Sequence, residues 1–308
     1  MHTDRERFIV LTPADAGYPA LLRAIPDPPR ALYVRGGAES LEAPAVAIVG
    51  SRHASLYGLE CAERLACELA LRGVTVVSGL ARGIDAAAHR GALQGGGRTV
   101  AVLGSGLDQL YPPEHGPLAE EIVQTGWLVS EHPMGTRPLP HNFPRRNRLI
   151  SGLSLGVVVV EAAARSGALI TADCALEQGR EVFAVPGPVT SVTSHGTHRL
   201  LKQGARLVTS VEDILEELRL IPLSAREAEP MAAAAKPAGA AVRVLACVAV
   251  APRTIDAIAL ESGFPMPELS ALLVQLELKR LVRQLPGKRF VKTVRGSGLG
   301  VGGNCPEP

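Results

Sequence analysis

Apolar residues run continuously, rather than alternately, through much of the chain beyond residue 40. Seven short runs are rich in β-branched residues: Ala45–Val49, Val74–Val77, Thr99–Leu103, Trp127–Val129, Val157–Val160, Glu181–Val185 and Arg206–Val208. A continuous apolar run indicates a strand that is buried on both faces. Between most of these runs lie helical patterns such as Tyr57–Leu71, Ile84–Gln94 and Gly167–Gln178. This alternation predicts right-handed crossovers and a mostly parallel sheet, so we expect an α/β, Rossmann-like, doubly wound domain over residues 41–220.

The segments on either side of this domain have a different composition. Residues 1–40 are rich in proline, and Ile25-Pro-Asp-Pro-Pro29 is restricted to extended or turning backbone. We therefore interpret residues 1–40 as an N-terminal extension rather than a domain. Residues 221–240 hold alanine, proline and glutamate without an amphipathic period, which is typical of a linker.

The C-terminal part of the chain predicts a second, smaller domain. Three short helical patterns precede two strand patterns with a turn at Pro286-Gly287, which is the order of a winged helix over residues 241–293. Residues 240–295 carry nine Lys and Arg against four Asp and Glu, whereas the whole chain has a net charge of only +2. A basic module on a nearly neutral body suggests a polyanionic partner. The glycine-rich residues 294–308 are expected to be a disordered tail.

Cysteine usage and hydropathy bear on the compartment. The five cysteines, at positions 61, 67, 174, 247 and 305, form no CxxC pair, which argues for a reducing compartment and against a disulfide framework or a zinc knuckle. The N-terminus is too charged for a signal peptide, and the uncharged apolar run Leu149–Val160 is too short to cross a bilayer. We expect a cytoplasmic protein with no membrane span, metal or cofactor.

Loops that carry glycine or serine follow four of the predicted strands. They are Gly50-Ser-Arg52, Ser78–Asp85, Gly104-Ser-Gly106 and Arg165-Ser-Gly167. The carboxyl ends of parallel strands line one crevice, where glycine admits a close ligand and helix N-termini favour anions. Because Arg52, Arg82 and Arg165 lie in three of these loops, we predict a phosphate-binding crevice. The loop Gly104-Ser-Gly-Leu-Asp-Gln109 lacks the third glycine of a dinucleotide fingerprint, and the chain contains no GxxxxGK[ST], so no mononucleotide is indicated.

The segment Phe143-Pro-Arg-Arg-Asn-Arg148 combines three arginines and an amide with an aromatic residue. Guanidinium groups bind phosphates, and an aromatic ring can stack a base, so this composition suits single-stranded nucleic acid. In the alternative interpretation, Phe143 is a core residue and the arginines form salt bridges.

Signals for catalysis are weak. Asp85 and His89 are four residues apart on a predicted helix, but Asp85 is better explained as support for the helix N-terminus. His195 and His198 have no carboxylate close in sequence, and Ser51, Ser78 and Ser166 do not lie in a GxSxG elbow. Glu161 ends a buried strand and could contact a ligand or cap the next turn. We expect no catalytic residue, and hence a protein that is not an enzyme.

Several of these motifs, taken together and in order, resemble one family, the DprA/Smf DNA-processing proteins. The resemblance rests on Ile25-Pro-Asp-Pro-Pro29, Val49–Arg52 with Ser55 and Tyr57-Gly58, Ser78–Asp85 with Ala88-His89, Tyr111-Pro-Pro-Glu114, Ser130-Glu131, Phe143–Arg148, Arg165–Gly167 and Val185-Pro-Gly187. It covers about residues 18–215. The chain departs from the family pattern at Gly196-Thr-His-Arg199, where many members carry a glycine, a small residue and an asparagine.

This resemblance implies a homodimer that binds single-stranded DNA and loads RecA during natural transformation, without catalysis. The family's DNA contacts correspond to the first loop, to Ser78–Gly83 and to Phe143–Arg148. With the third crevice loop and Ser55, the candidate DNA-binding residues are Gly50, Ser51, Arg52, Ser55, Ser78, Gly79, Arg82, Gly83, Phe143, Arg145, Arg146, Asn147, Arg148, Arg165, Ser166 and Gly167.

The winged helix leaves two interpretations open. Its basic residues could form a secondary, phosphate-binding rim, and these are Arg280, Arg283, Lys288, Arg289 and Lys292. It could equally be a protein-docking domain with a solvated basic hairpin. Two other functions are weighed for the whole chain. A phosphoribohydrolase of the lysine-decarboxylase-like type would need a PGGxGTxxE segment, which Pro186–Ser191 does not match. A winged-helix regulator would prefer duplex DNA.

Overall fold

The computed structural model describes residues 8–37, 43–220, 240–249, 253–278, 281–285 and 289–292. The chain divides into two compact units, Met1–Arg226 and Glu227–Pro308, each of which is described by itself. In the part of the chain that the structure describes, no helix is long and apolar enough to cross a membrane.

The first unit is built on one mixed sheet. Its strands are β1 (Phe8–Leu11), β2 (Leu32–Gly36), β3 (Ala45–Val49), β4 (Thr75–Ser78), β5 (Thr99–Leu103), β6 (Trp127–Ser130), β7 (Gly156–Val159), β8 (Glu181–Ala184) and β9 (Arg206–Leu207). They lie in the order β1-β2-β6-β5-β4-β3-β7-β8-β9. The strands from β3 to β9 pair in parallel, whereas β2 pairs antiparallel with β6 and β1. The Rossmann-like, mostly parallel sheet predicted from the sequence is confirmed.

Helices cover both faces of this sheet. They are α1 (Ala20–Arg23), α2 (Leu56–Leu71), α3 (Ile84–Gln94), α4 (Gly116–Thr125), α5 (Asn142–Gly152), α6 (Gly167–Glu177), α7 (His195–Lys202) and α8 (Val211–Glu217). Successive side chains of a strand point to opposite faces. Ala45, Ala47 and Val49 accordingly join the core under α5 and α6, and Val46 and Ile48 join the core under α2 and α3. Both faces of β3 are therefore buried, as its continuous apolar run predicts.

Serine residues begin two of the helices that matter for the site. Ser55 accepts a hydrogen bond from the Gly58 amide at the start of α2, at 3.1 Å. Ser166 accepts one from the Ala168 amide at the start of α6, at 3.3 Å. Each satisfies an amide that the first turn of a helix leaves without a partner. These caps fix where the loops end and the helices begin.

The described residues 8–37 contribute two strands to the sheet and are not an extension beside it, which corrects the sequence interpretation of this part of residues 1–40. Strands β1 and β2 extend the sheet beyond β6, and the side chains of Tyr18, Leu22 and Leu32 are fully buried in its core. The Tyr18 hydroxyl donates to the Pro29 carbonyl at 3.0 Å, which closes the proline-rich turn that leads into β2. Two strands of four or five residues among prolines are too short to give a clear sequence pattern.

The second unit has the predicted winged-helix order. Its elements are α9 (Ala240–Cys247), β10 (Arg253–Thr254), α10 (Ile255–Ser262), α11 (Met266–Leu278), β11 (Val282–Leu285) and β12 (Arg289–Lys292), with strand order β10-β12-β11. Val244, Ile258, Leu269, Leu273 and Phe290 contribute to its own buried core. The predicted linker, apart from residue 240, and the predicted tail at 294–308 lie outside the described residues.

Candidate nucleic-acid interface

A cleft opens at the point where the strand order of the sheet reverses. Strands β4 to β6 lie on one side of β3, and β7 to β9 lie on the other. Loops that follow strands at such a point diverge and leave a crevice at the carboxyl edge of the sheet. Here the loops after β3 and β7, together with the start of α5, line a cleft of about 680 Å³. The sequence prediction of a crevice at this edge agrees with this position.

Two arginines face this cleft from opposite sides of the reversal point. Arg52 follows β3 and Arg165 follows β7, and both side chains are exposed. Among the described residues, neither forms an ion pair with a carboxylate. The Arg52 guanidinium carbon lies 5.5 Å from the centre of the Phe143 ring. The cleft therefore offers two cationic groups and an aromatic ring to an anionic ligand.

Backbone contacts fasten the loop after β3 to its neighbours. The Ser51 amide donates to the Glu161 carbonyl at 2.7 Å, and the Ile84 amide donates to the Ser51 carbonyl at 3.2 Å. Gly83 has φ +74°, and a Cβ atom there would lie 2.2 Å from the Ser51 carbonyl oxygen. A Cβ at Gly50 would lie 2.6 Å from Cγ1 of Ile84. The two glycines permit a close packing of loops that a side chain would prevent.

Glu161 organises the cleft wall from within the protein. Its side chain is buried and accepts hydrogen bonds from the Ser55 amide at 2.8 Å and from the Ser55 hydroxyl at 2.5 Å. It also accepts from the Thr193 hydroxyl at 3.2 Å. Of the two roles that the sequence left open for Glu161, the structure supports the structural one. Ser55 is engaged in the same network and does not line the cleft.

The polar side chains Ser78 and Asp85, at the two ends of the loop after β4, bind backbone groups of the protein. The fully buried Ser78 hydroxyl donates to the Ile48 carbonyl at 2.6 Å, so it does not reach the cleft. The Asp85 carboxylate accepts hydrogen bonds from the amides of Gly79 at 3.2 Å and Ala81 at 3.4 Å. Burial raises the pKa of Asp85, and the Arg146 charge opposes that rise. Asp85 therefore shapes the loop at the start of α3, as the sequence analysis favoured.

Asp85 and His89 do not form an accessible acid–base pair. His89 is fully buried, and its Nδ1 lies 2.7 Å from the Thr99 hydroxyl oxygen. Burial, reinforced by the charges of His115, Arg146 and Arg90, lowers the pKa of His89 to about 3. A neutral, enclosed imidazole of this kind has a structural role.

The residues of the Phe143–Arg148 segment lie on α5 and have different environments. Phe143 is half-buried beside the cleft, and its ring centre lies 5.7 Å from that of Tyr111. Arg146 is buried and donates to the carbonyls of Gly79, at 2.8 Å, and Val102. Burial lowers the pKa of Arg146 to about 10, although the Asp85 charge opposes that effect. Arg146 reaches the cleft floor, but its guanidinium is already engaged by the protein.

The other polar residues of this segment are divided between the cleft and the protein interior. The side-chain Nδ2 of Asn147 donates to the Gly167 carbonyl at 3.2 Å and so connects α5 to the start of α6. Arg148 is mostly buried and pairs with Glu131 at 2.5 Å and Asp27 at 3.2 Å. Arg145 is exposed and lies 3.6 Å from Glu131. The salt-bridge alternative considered from the sequence therefore describes Arg148 and also Arg145, whose side chain is nevertheless exposed.

The structure adds cleft residues to which the sequence analysis assigned no chemistry. Tyr111, His53, Pro138 and Ile170 all line the cleft. Tyr111 belongs to the family motif Tyr111-Pro-Pro-Glu114, and it is one of only four tyrosines in the chain. The sequence gives no signal for Pro138 or Ile170, because their position at the cleft depends on how separate loops meet.

The basic rim proposed for the winged helix is only partly within the described residues. Arg289 begins β12 and is exposed, and Arg283 and Lys292 lie on β11 and β12. Arg280 and Lys288 lie outside the described residues. The rim therefore stays a prediction.

These features define a class of protein: a Rossmann-like unit with an arginine-bearing cleft at its sheet reversal, followed along the chain by a winged helix. Comparison with known families agrees with both units. Residues 9–219 match the family model of DNA recombination-mediator protein A, and residues 228–288 match the DprA winged-helix domain. The chain belongs to the DprA/Smf family of DNA-processing proteins.

Individual relatives are similar over most of the chain. Protein Smf of Escherichia coli strain K12 is 49% identical over 287 residues, which cover 90% of this chain and 76% of that protein. The X-ray structure of DprA from Streptococcus pneumoniae has 44% identity and a TM-score of 0.66, over 69% of this chain and 75% of that one. A DprA from Helicobacter pylori, described for its single-stranded DNA binding mode, has 31% identity and a TM-score of 0.63, over 69% and 96%.

Proposed function

We propose that this protein binds single-stranded DNA in the cleft and acts as a non-enzymatic recombination mediator that loads RecA onto the bound strand. The observation that carries the proposal is the placement of Arg52 and Arg165 on opposite sides of the cleft, exposed and without a described carboxylate partner, with the Phe143 ring between the loops. The described binding of single-stranded DNA by the related Helicobacter pylori protein supports it.

In this mechanism the loops hold the phosphates and the aromatic ring holds a base or sugar. Arg52 and Arg165 contact successive phosphates, assisted by backbone amides around Gly50, Gly83 and the capped start of α6 at Gly167. Phe143 packs against a base, which is tolerant of sequence because every base has a π face. Binding should therefore depend strongly on salt and weakly on sequence.

The same set of contacts divides the sixteen candidate residues by role. Arg146, Asn147, Arg148, Ser55 and Ser78 are engaged by protein groups, so we propose that they position the loops rather than touch DNA. We propose that the others contact the strand, and these are Gly50, Ser51, Arg52, Gly79, Arg82, Gly83, Phe143, Arg145, Arg165, Ser166 and Gly167.

The central test is fluorescence anisotropy of labelled oligo-dT and of a duplex of equal length across a salt series. The full chain is compared with residues 1–220. Tight, salt-sensitive binding to oligo-dT that survives the truncation supports the cleft as the binding site. Binding only to duplex, or loss of binding after truncation, would assign DNA binding to the winged helix and refute the proposal.

Arg52→Ala and Arg165→Ala should each weaken oligo-dT binding about ten-fold, because a charge-assisted hydrogen bond contributes about 1.5–3 kcal/mol. The slope of log K against log salt should become shallower by about 0.7 for each lost phosphate contact. Arg90→Ala is the matched control, since Arg90 is exposed and does not line the cleft. Unchanged binding, or loss of cooperative thermal unfolding in Arg52→Ala, would contradict a contact role for Arg52.

RecA loading is tested separately from binding. We expect the protein to accelerate RecA filament formation on single strands that are already covered by a single-strand-binding protein, and Arg52→Ala to lose most of this acceleration. We also expect a homodimer in light scattering. An unchanged rate of filament formation in the presence of a tightly bound protein would refute the mediator role and leave the binding role intact.

A further inference from the structure

An ion pair at the edge of the cleft joins a candidate DNA-binding residue to a carboxylate of the protein. Nε of Arg82 donates to Oε1 of Glu114 at 2.6 Å, and Nη2 lies 2.5 Å from the same oxygen. Both side chains are 51% exposed, so the pair faces solvent. In this respect Arg82 differs from Arg52 and Arg165, which face the cleft without a described carboxylate partner.

The fold holds the two partners next to each other. Arg82 lies in the loop after β4, and Glu114 lies in the short turn Pro113–His115 that precedes α4. His115 is buried, and its Nδ1 lies 2.8 Å from the Leu80 carbonyl oxygen, which ties the turn to the loop. Because this contact is internal, Glu114 stays beside Arg82 whether or not the cleft is occupied.

The pair also borders the aromatic part of the cleft. Arg82 lines a small cavity with Arg52, Tyr111 and Phe143, and its guanidinium interacts with the Tyr111 side chain. A strand whose base lies on Phe143 and whose phosphate lies on Arg52 therefore passes within reach of Arg82. Two hydrogen bonds lower the pKa of Glu114: the larger effect comes from the backbone amide of Glu114 itself, and the second from the Arg82 side chain. The carboxylate is therefore charged at neutral pH.

We infer that Glu114 limits the affinity for single-stranded DNA by holding the Arg82 guanidinium, so that a phosphate must displace this carboxylate before Arg82 can contact the strand. The inference rests on the proposed function of the cleft. An exposed ion pair is weak, so the exchange is feasible and its effect is modest.

The test is a double-mutant cycle in the full chain, with labelled oligo-dT across a salt series. Glu114→Gln should bind about two- to five-fold more tightly than the unchanged protein at low salt, the range that a released exposed ion pair allows. Its slope of log K against log salt should steepen by up to about 0.7, the increment of one phosphate contact. In an Arg82→Ala background, Glu114→Gln should have a much smaller effect, because no guanidinium remains to be released.

Glu121→Gln is the matched control, since it removes one exposed carboxylate from α4 without touching the cleft. Weaker or unchanged binding in Glu114→Gln would overturn the inference. An equal gain in Glu121→Gln, or an equal gain with and without Arg82, would also overturn it, because either result indicates a general charge effect. If the unchanged protein does not bind oligo-dT, the proposed function fails and this inference fails with it. If it binds and only Glu114→Gln behaves otherwise than expected, the inference alone fails.

Discussion

A variant of Arg146 tests which arginines support the fold and which ones have the proposed role in binding. Arg146 is 3% exposed; its guanidinium donates to the carbonyls of Gly79 and Val102, and its charge interacts with that of the buried Asp85. Arg146→Ala leaves these two carbonyls without their donor and removes the cationic group that favours the charged form of Asp85. A hydrogen bond from a charged donor contributes about 1.5–3 kcal/mol, so the loss of both bonds costs about 3–6 kcal/mol.

That cost is large compared with the stability of a typical domain, which is about 5–15 kcal/mol. For a unit of this size it corresponds to a fall in Tm of about 6–24 °C, at about 2–4 °C for each kcal/mol. Arg52→Ala is the contrasting variant, because an exposed side chain contributes within about 0.5 kcal/mol. Arg146→Ala should therefore lower the free energy of unfolding, whereas Arg52→Ala should weaken the proposed DNA binding with stability intact.

The assay is urea unfolding followed by circular dichroism, with oligo-dT binding measured on the same samples. A second variant, Asp85→Asn with Arg146→Met, removes both charges and should be less destabilised than Arg146→Ala alone, because no uncompensated charge stays buried. If Arg146→Ala lost less than about 1 kcal/mol of stability and still abolished binding, our assignment of Arg146 to the loop support would be wrong. The guanidinium would then be a direct contact.

Two further predictions concern backbone and pH. Gly83→Ala should destabilise the protein by more than Gly135→Ala, which should cost about 1–2 kcal/mol from backbone strain alone. Both glycines have positive φ, but only at Gly83 would the new Cβ meet a backbone atom, the Ser51 carbonyl oxygen at 2.2 Å; equal losses in urea unfolding would contradict this. The free energy of unfolding should also fall as the pH drops from about 6.5 to about 3. In this range His89 binds a proton in the unfolded chain but stays neutral in the folded protein, where burial lowers its pKa. His89→Asn should reduce this slope by up to about 1.4 kcal/mol for each pH unit, and an unchanged slope in unfolding titrations would refute the assignment.

The strand and helix pattern of the first unit could be predicted because buried parallel strands are continuous apolar runs. The helix predicted at Ile84–Gln94 has the same ends in the structure. The carboxyl-edge rule also placed Arg52 and Arg165 at one crevice. These inferences need only local sequence and one topological rule.

The roles of neighbouring arginines on α5 could not be read from composition, because they depend on the rotation of the helix. Residues one position apart on a helix differ by about 100° in direction. Arg146 precedes the buried Leu149 and Ile150 by three and four positions, so it lies on their face and is buried with them. Helical spacing would have identified it. The carboxylates that pair with Arg148 and Arg82 come from distant segments, and local sequence cannot indicate them.

The N-terminal segment has a consequence for where the smallest functional unit begins. Helix α1 packs against α5, and a Cβ on Gly152 of α5 would lie only 2.9 Å from Leu22. Asp27 of the same segment pairs with Arg148 on α5. A fragment that starts at the first parallel strand would expose this side of the helix that carries Phe143 and would leave the β6 edge open. The proline-rich segment therefore supports the helix that lines the cleft, and we expect a minimal DNA-binding fragment to require it.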